Sequence, residues 1–337
     1  MPSTRVLDEF KRIGIIAIEE EDGRLYPRSL QAKNVAEALC MELKVRKVPI
    51  ICGDAVKSCF KENGYYNTIC VSGKQYYSHK VIITTGGKAG CQYGSEGDGY
   101  KLAKNFGHQI VKPIPALTQL LTENSSEELF GVRAKASISL WKENKGVKCF
   151  LAKDSGEIQF TKEGLSGICT FNISRYIQFE EDTSYEVDID LFEEYTECEL
   201  EELFVCRAKQ LIERDGRAIL YGLLPDKLVD AVLARANING DCKVENINKK
   251  SLEKLVEVSK AFSFNVIGTK SWKDAQVTAG GVVLCEIEPK TLESKIEEGL
   301  FFAGEILDVD GLCGGYNLGW AFASGYVAGM SAAQKQI

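Results

Sequence analysis

The sequence predicts an α/β fold, and three observations carry that reading. A β-branched run at Val81–Thr84 ends in Thr85-Gly86-Gly87, and an apolar run at Leu300–Ala303 ends in Gly304-Glu305. Each is followed by glycine-rich sequence and then by a helix-forming stretch, the strand, loop, helix order of an α/β layer. Between them lie a β-rich block and a helical block, which suggests modules set into a larger α/β domain. The chain has 337 residues, 45% hydrophobic and 26% charged, so disordered and collagen-like classes are excluded.

The elements follow in order. Ile13–Ile18, the turn Glu21-Asp22-Gly23 and Arg24-Leu25-Tyr26 read as strand, turn, strand. Ser29 is placed to cap a helix reaching Lys44, with Leu30, Leu39 and Leu43 on its apolar side. Val48–Ile51 reads as a short strand. A four-strand meander is expected over Val56–Phe60, Tyr65–Val71, Gln75–Ser78 and Val81–Thr84, broken at Asn63-Gly64 and Ser72-Gly73. Gly99–Gly107 reads as a short helix. From Pro113 the character changes: Val132–Trp141, Gly146–Leu151 and Glu157–Phe160 are strand-like, and Glu199–Arg214, Asp226–Ala236 and Ser251–Ala261 are helical. Ala275–Gln336 returns to strands and glycines and ends in a helix starting near Leu318. No internal repeat or low-complexity tract interrupts this plan.

Composition narrows the function. Lys plus Arg is 41 and Asp plus Glu is 48, a net charge of 41 − 48 = −7, with no basic run to hold nucleic acid or an anionic membrane. Twelve cysteines contain no Cys-x-x-Cys pair, the nearest spacings being Cys52/Cys59 and Cys198/Cys206. Cys70, Cys149 and Cys285 sit in apolar runs, so reduced thiols of a cytoplasmic protein are expected rather than disulfides or a metal site. Met1–Phe10 is too polar for a secretory signal, and no apolar stretch reaches the roughly 20 residues of a membrane span. With only His79 and His108, histidine-based metal centres and most Ser-His or Cys-His triads are hard to assemble.

The sharpest chemical signal is Leu300–Gly329. The run Leu300-Phe301-Phe302-Ala303 stops at Gly304-Glu305, passes Asp308, Asp310 and Gly311, and reaches Gly314-Gly315-Tyr316-Asn317 before a helix. Ligands of open α/β sheets sit at such strand ends, where glycines admit close approach and a helix N-terminus favours negative charge. Ala321, Gly325 and Gly329 leave one face of the helix small. Val81–Gly87 is a weaker signal, either a ligand-facing loop or a plain strand-to-helix turn; it is neither a Walker loop nor Gly-x-Gly-x-x-Gly. Gly280-Gly281, between Val277-Thr278 and Val282, serves a tight turn or a close approach to a ligand.

Taken in order, these segments resemble the aminoacetone-oxidase-type (BaiN-like) flavoproteins, relatives of the two-dinucleotide-fold FAD oxidoreductases. The matching residues are Gly23–Pro27, Thr85-Gly86-Gly87, Gly94-Ser95 with Gly97–Tyr100, Gly107-His108, Pro115–Leu117, Gly164–Gly167, Val277-Thr278 with Gly280–Val282, and Glu293–Lys295. The most specific stretch is Gly299–Glu305 continuing through Asp308–Gly311 to Gly314–Leu318. Glu96 departs from the small or hydroxyl residue common in the family.

The resemblance implies an FAD-binding Rossmann-like domain interrupted by a β-rich and a helical insert. The implied divisions are 1–112 and 272–337 for the FAD-binding domain, 113–190 for the β-rich insert and 191–271 for the helical insert. By position it implies that Thr85, Gly86 and Gly87 face the adenosine half of FAD and that Val56 faces the adenine. Gly304 and Glu305 fall beside the ribityl chain and pyrophosphate, Gly315, Tyr316, Asn317 and Leu318 beside the flavin pyrimidine, and Asp308 and Gly314 are further cofactor-binding candidates. The family opens with a strand, Gly-x-Gly-x-x-Gly and a helix, then an acidic residue for ribose, and a Thr-Gly-x-Gly-Arg-Cys-Asn stretch; neither glycine motif occurs here. The expectation is therefore a form lacking the N-terminal βαβ unit, with weak or no FAD binding by this chain alone and self-association through uncovered apolar surface. NAD(P)H is a candidate electron donor, a small molecule the expected substrate, and no catalytic residue stands out. The other reading is a non-enzymatic scaffold of the same fold.

Overall fold

A computed structural model of the chain describes residues 3–20, 23–123 and 127–334. In chain order the elements begin α1 (Ser3–Arg12), β1 (Ala17–Glu19), β2 (Leu25–Pro27), α2 (Ala32–Val45), β3 (Val56–Glu62), β4 (Tyr65–Cys70), β5 (Gln75–Ser78), β6 (Val81–Ile83) and α3 (Asp98–Asn105). There follow β7 (Ile114–Ala116), β8 (Leu120–Thr122), β9 (Arg133–Asn144), β10 (Val147–Phe160), β11 (Gly164–Ser166), α4 (Ile168–Ser174) and β12 (Thr183–Asp190). The last are α5 (Glu197–Gln210), α6 (Asp226–Arg235), α7 (Lys249–Lys260), β13 (Phe262–Thr269), β14 (Val277–Ala279), β15 (Leu300–Phe302) and α8 (Tyr316–Ala333). The chain divides into two compact units, one of residues 1–114 with 277–337 and one of residues 115–276.

In the first unit, β6 and β15 pair in parallel, Leu300 opposite Val81 and Phe302 opposite Ile83. The strand at Val81 is therefore not a fourth meander strand. Val81, Ile82 and Ile83 are apolar without alternation; Ile83 is buried while Ile82 stays exposed, and the partner they find is the equally apolar, fully buried Leu300-Phe301-Phe302. Ile83, Phe301, Phe302, Tyr66, Tyr100 and Ala103 form the centre of this core. The meander proper is three-stranded and antiparallel, β3-β4-β5, turned by Asn63 (φ 51°) and Gly64 (φ 83°) in the positive-φ pair of a tight hairpin. β1 and β2 form a two-stranded antiparallel pair, Ile18 opposite Tyr26. Glu21 and Asp22, expected in their turn, lie outside the described residues.

Three local expectations fail for physical reasons. Ser29 accepts a hydrogen bond from the Gln31 amide at 3.4 Å but precedes the helix, which starts at Ala32, and Leu30 between them takes a left-handed φ of 53°. No residue of α2 is buried, and Leu39, Leu43, Met41 and Val45 are all exposed. Val48–Ile51 pairs with no strand, and its side chains are exposed. Three of its four residues are β-branched and favour a strand, but Pro49 has no amide to give to a ladder, and the remaining backbone groups have no partner strand to join. The helix α1 is an addition: its Phe10 ring packs edge-on to Phe322 of α8, centroids 4.7 Å apart, and Arg5 donates to the Tyr326 hydroxyl at 2.8 Å.

In the second unit, six strands close a barrel in the order β10-β11-β8-β13-β12-β9. Gly146–Leu151 and Glu157–Phe160 belong to one long strand, β10. Four barrel strands, β8, β11, β12 and β13, are not predicted from the sequence; Tyr185, Val187 and Ile189 nonetheless alternate inward on β12. The helices α5, α6 and α7 share a single core with the barrel, joining Ile138, Leu140, Val187 and Phe264 to Leu200, Phe204, Val232 and Leu255. The β and helical blocks are thus one packed body rather than two modules. Helix α5 begins at a capping box: the Thr196 hydroxyl accepts from the Glu199 amide at 3.3 Å, and the Glu199 carboxylate accepts from the Thr196 amide at 2.8 Å. No disulfide joins the twelve cysteines among the described residues, and burial pushes the Cys169 thiol up to about 11.

A shared core makes the barrel and its helices cooperative. Ile138→Ala on β9 and Leu255→Ala on α7 should each cost about 2–5 kcal/mol, and both should lower the same transition in a urea titration followed by circular dichroism. Loss of helical signal in Leu255→Ala at a midpoint separate from that of the barrel would contradict a common core.

Candidate active site

Parallel pairing puts the carboxyl ends of β6 and β15 side by side. The loops that leave them are Thr84–Gly87 and Ala303–Glu305, so the two glycine-rich strand ends expected to face a ligand share one sheet edge. Their junction is built by Thr278 of β14. The Thr278 amide donates to Glu305 Oε1 at 2.8 Å, and the Thr278 hydroxyl accepts from the amides of Lys88 at 2.7 Å and Ala89 at 3.0 Å. With both amides pointing at it, the hydroxyl gives its own proton to Glu305. Ser95 closes the loop from the other side, donating to the carbonyls of Gly87 at 2.7 Å and Thr85 at 3.0 Å.

This junction has no room for a side chain at Gly87. A Cβ there would lie 2.3 Å from Thr278 Oγ1 and 2.6 Å from Glu305 Oε1. Gly99, at the start of α3, is equally constrained, since its Cβ would lie 2.0 Å from Thr85 Oγ1. Gly86 needs glycine for its backbone, at φ 72°. Gly280 and Gly281 resolve as structural: a Cβ on Gly280 would meet the Lys112 carbonyl at 2.7 Å, and one on Gly281 the Ile306 carbonyl at 2.6 Å.

Burial governs the charges. Glu305 sits where desolvation raises its carboxyl above the usual range, against the hydrogen bonds from Thr278 that favour the anion. Asp308 is likewise raised by desolvation, opposed by the Gly280 amide. Tyr100 is 6% exposed, its hydroxyl makes no hydrogen bond within the described residues, and burial followed by the charges of Glu305 and Asp308 holds it protonated. A buried hydroxyl donor without a partner is costly unless something accepts from it.

Downstream, Gly314 (φ 128°) and Gly315 (φ 95°) turn the chain into α8, with no side chain capping the helix. A Cβ on Gly315 would meet nothing within 4 Å, so the space before the helix is open. Tyr316 and Leu318 are exposed. The Asn317 side chain is committed to its own loop: its Oδ1 accepts from the Gly311 amide at 2.8 Å and its Nδ2 donates to the Gly311 carbonyl at 3.0 Å. Asn317 therefore offers a ligand its backbone and not its amide group. Val56 opens β3 in the meander, opposite Cys70, and so belongs to a different sheet from the β6–β15 edge. Thr278, Ser95 and Tyr100 fall within the segments that carry the resemblance, but nothing in the sequence assigns their side chains a role. Their hydroxyls carry no spacing signal; only the fold brings them to the loop.

A Ser-His-Glu arrangement exists despite the scarcity of histidine. Buried His108 sits between Glu286 (Nδ1 to Oε2, 3.0 Å) and Ser294 (Nε2 to Oγ, 2.8 Å). Ser294 Oγ already accepts from the amides of Ile296 at 3.0 Å and Glu297 at 2.9 Å, so its proton goes to Nε2 and Nδ1–H donates to Glu286. A hydroxyl held by two amides is a turn clamp, not a nucleophile. No group of three or more His, Cys, Asp and Glu side chains among the described residues is placed to hold a metal. No described helix is long and apolar enough to cross a membrane.

Two outcomes follow from the junction. Thr278→Val leaves the Lys88 and Ala89 amides without their acceptor and should cost about 1–3 kcal/mol in chemical denaturation. Glu305 has a raised folded pKa, so the folded chain holds its proton more readily than the unfolded chain and loses stability as pH rises through and above the ordinary carboxylate range. Glu305→Gln should thus gain on the unsubstituted chain as pH is raised from acid to neutral, and thermal melts at several pH values would show a gap that fails to widen if Glu305 were not desolvated.

Comparison with known proteins identifies the family of the chain. The chain is 35% identical over 332 residues to a 3-dehydro-bile acid delta(4,6)-reductase of Clostridium scindens, covering 98% of this chain and 80% of that protein. It is 31% identical to a ribosomal RNA dihydrouridine synthase of Haemophilus influenzae, covering 79% of this chain and 63% of that protein. The synthase of the same name from Escherichia coli is 28% identical, over 95% of this chain and 76% of its own length. The family model described as the HI0933-like protein Rossmann domain matches residues 3–331. The resemblance drawn from the glycine-rich segments therefore holds, and the chain belongs to the HI0933-like Rossmann family.

Proposed function

We propose that the protein is an FAD-dependent oxidoreductase that adds hydrogen to an unsaturated small molecule, with NAD(P)H as electron donor. The observation that carries this reading is the shared edge where β6 and β15 deliver Thr85–Gly87 and Gly304-Glu305 together. The fit to FAD rests on three features. Gly86 is part-exposed at the strand end and carries no Cβ, while Gly87 packs against Thr278 and Glu305 and fixes the course of the loop. Tyr100 keeps a buried hydroxyl donor unspent. The start of α8 leaves backbone amides and the positive end of an 18-residue helix uncapped by any side chain.

In this reading Thr85, Gly86 and Gly87 hold the adenosine half, with Val56 toward the adenine. Gly304, Glu305 and Asp308 flank the ribityl chain and pyrophosphate, Tyr100 donates to an oxygen there, and Gly314 to Leu318 hold the pyrimidine end through backbone amides. Bound FAD supplies the hydride chemistry. Glu305 orients the Gly87 loop through Thr278, and the helix N-terminus favours the negative charge that reduction brings. The first unit is then the cofactor domain, divided in sequence by residues 115–276, as the resemblance implies. The names of the relatives, a reductase and two synthases of dihydrouridine, each describe a net gain of hydrogen. The charge of −7 weighs against an RNA substrate and for a small molecule.

The sequence contains no Gly-x-Gly-x-x-Gly motif. Several charge-assisted contacts to the pyrophosphate, at about 1.5–3 kcal/mol each, are then unavailable from such a loop, which weakens FAD by roughly a thousandfold or more. The alternative is a scaffold of the same fold without cofactor. Titration of the purified chain with FAD, followed by flavin fluorescence, should give saturable but weak binding that Gly87→Ala and Tyr100→Phe weaken further. Tight stoichiometric binding would overturn the affinity argument, and no binding at any concentration would favour the scaffold. With excess FAD, oxidation of NAD(P)H by an unsaturated 3-oxo steroid tests the reaction itself.

A further inference from the structure

Helix α8 is apolar along most of its length, yet among its described residues only Ser324 and Ala328 are buried. Trp320 and Ser324 are four residues apart and share one face of the helix. Both reach Gly304, which opens the loop after β15. The Gly304 amide donates to the Ser324 hydroxyl at 2.9 Å, and Trp320 Nε1 donates to the Gly304 carbonyl at 3.1 Å. Ser324 sends its own proton back along the helix to the Trp320 carbonyl at 2.6 Å, which leaves a lone pair of its oxygen for Gly304. Gly304 takes a left-handed φ of 79°, and a Cβ on it would lie 3.9 Å from the Cβ of Ala321, so the loop passes close against the helix.

These bonds use both backbone groups of Gly304. Its amide is spent on Ser324. Its carbonyl accepts from Trp320 and, at 3.3 Å, from the Leu307 amide, which occupies both lone pairs. Gly304 therefore has no hydrogen bond left for a ligand, although it stands at the strand end where ligands gather. Its backbone serves the helix instead.

The place of this pin gives it leverage. Tyr316, at the open start of α8, is four residues or about 6 Å along the helix from Trp320. Tying Trp320 and Ser324 to the end of β15 thus sets the distance between the first amides of α8 and the β6–β15 edge. The helix is also held by α1, through Phe10 on Phe322 and Arg5 on Tyr326, so loss of the pin lets α8 shift without releasing it. We propose that Trp320 and Ser324 are positioning residues of the flavin site. By occupying Gly304 they set the start of α8 against the end of β15, and Gly304 makes no hydrogen bond to the cofactor. The proposal rests on the flavin reading above.

The test titrates the full chain and its variants with FAD, followed by flavin fluorescence, and records the visible circular dichroism of the flavin at saturation. Urea titrations give the range in which each variant is fully folded, and binding is compared there. Ser324→Ala removes the acceptor of the Gly304 amide. It should weaken FAD by about tenfold, the scale of one buried hydrogen bond, and alter the saturated spectrum. Trp320→Phe keeps an aromatic ring and loses the N–H donor; it should weaken FAD by about threefold to tenfold, and it carries the test if Ser324→Ala does not fold. Ala328→Gly, one turn beyond Ser324, weakens the same helix but removes none of these bonds, so affinity and spectrum should stay as in the unsubstituted chain. No FAD binding by the unsubstituted chain overturns the flavin reading and the proposal with it. Binding that Ser324→Ala and Trp320→Phe leave unchanged overturns the proposal alone. So does a saturated spectrum identical in all the chains, or a loss of affinity in Ala328→Gly equal to that in Ser324→Ala.

Discussion

The parallel pairing of Val81–Ile83 with Leu300–Phe302 is the constraint on which the rest of the first unit depends. Parallel strands cannot be joined by a tight turn, so some crossover must separate them. Here the intervening chain includes a barrel with its own core before it returns at Val277. Every candidate ligand-facing loop on this edge inherits its position from that one register. A slip of a single residue would turn Ile83 and Phe302 out of the core and part Gly87 from Thr278.

At the edge itself, space and charge are set by the same few atoms. Thr278 spends its amide and hydroxyl proton on Glu305 and its oxygen on two amides of the opposite loop, so one residue ties both glycine loops together. The cost is a desolvated carboxylate. Nearby, Asn317 closes the loop at Gly311 with its side chain while its backbone sits at the open start of α8. Residue identity at such positions reflects loop construction as much as ligand contact.

The sequence made legible what local physics writes strongly. Asn63-Gly64 marked the hairpin, Gly304 and Gly315 marked the ends of a buried strand and the start of a helix, and the helical block was placed to within a few residues. Four things were not legible. Val48–Ile51 has strand composition but no partner, and pairing is not a local property. The Val81 strand was assigned to the meander because adjacent strands usually pair in sequence order, whereas its partner lies near the other end of the chain. The third is the hydroxyl set of Thr278, Ser95 and Tyr100, ordinary residues in the sequence that acquire meaning only when the loops converge. Closure of the barrel was hidden because β8 and β11 are three residues long, too short to show alternation.

The order in which the pieces are made has a consequence of its own. During synthesis β6 emerges long before β15, and at roughly 5–20 residues per second the gap is about ten to forty seconds. The barrel and its helices, all encoded in between, can close meanwhile on contacts wholly within residues 115–276. The first unit therefore ripens last, and for that interval Val81–Ile83 is a bare apolar strand without its natural neighbour, the kind of segment that chaperones recognise and that aggregates when translation outruns them.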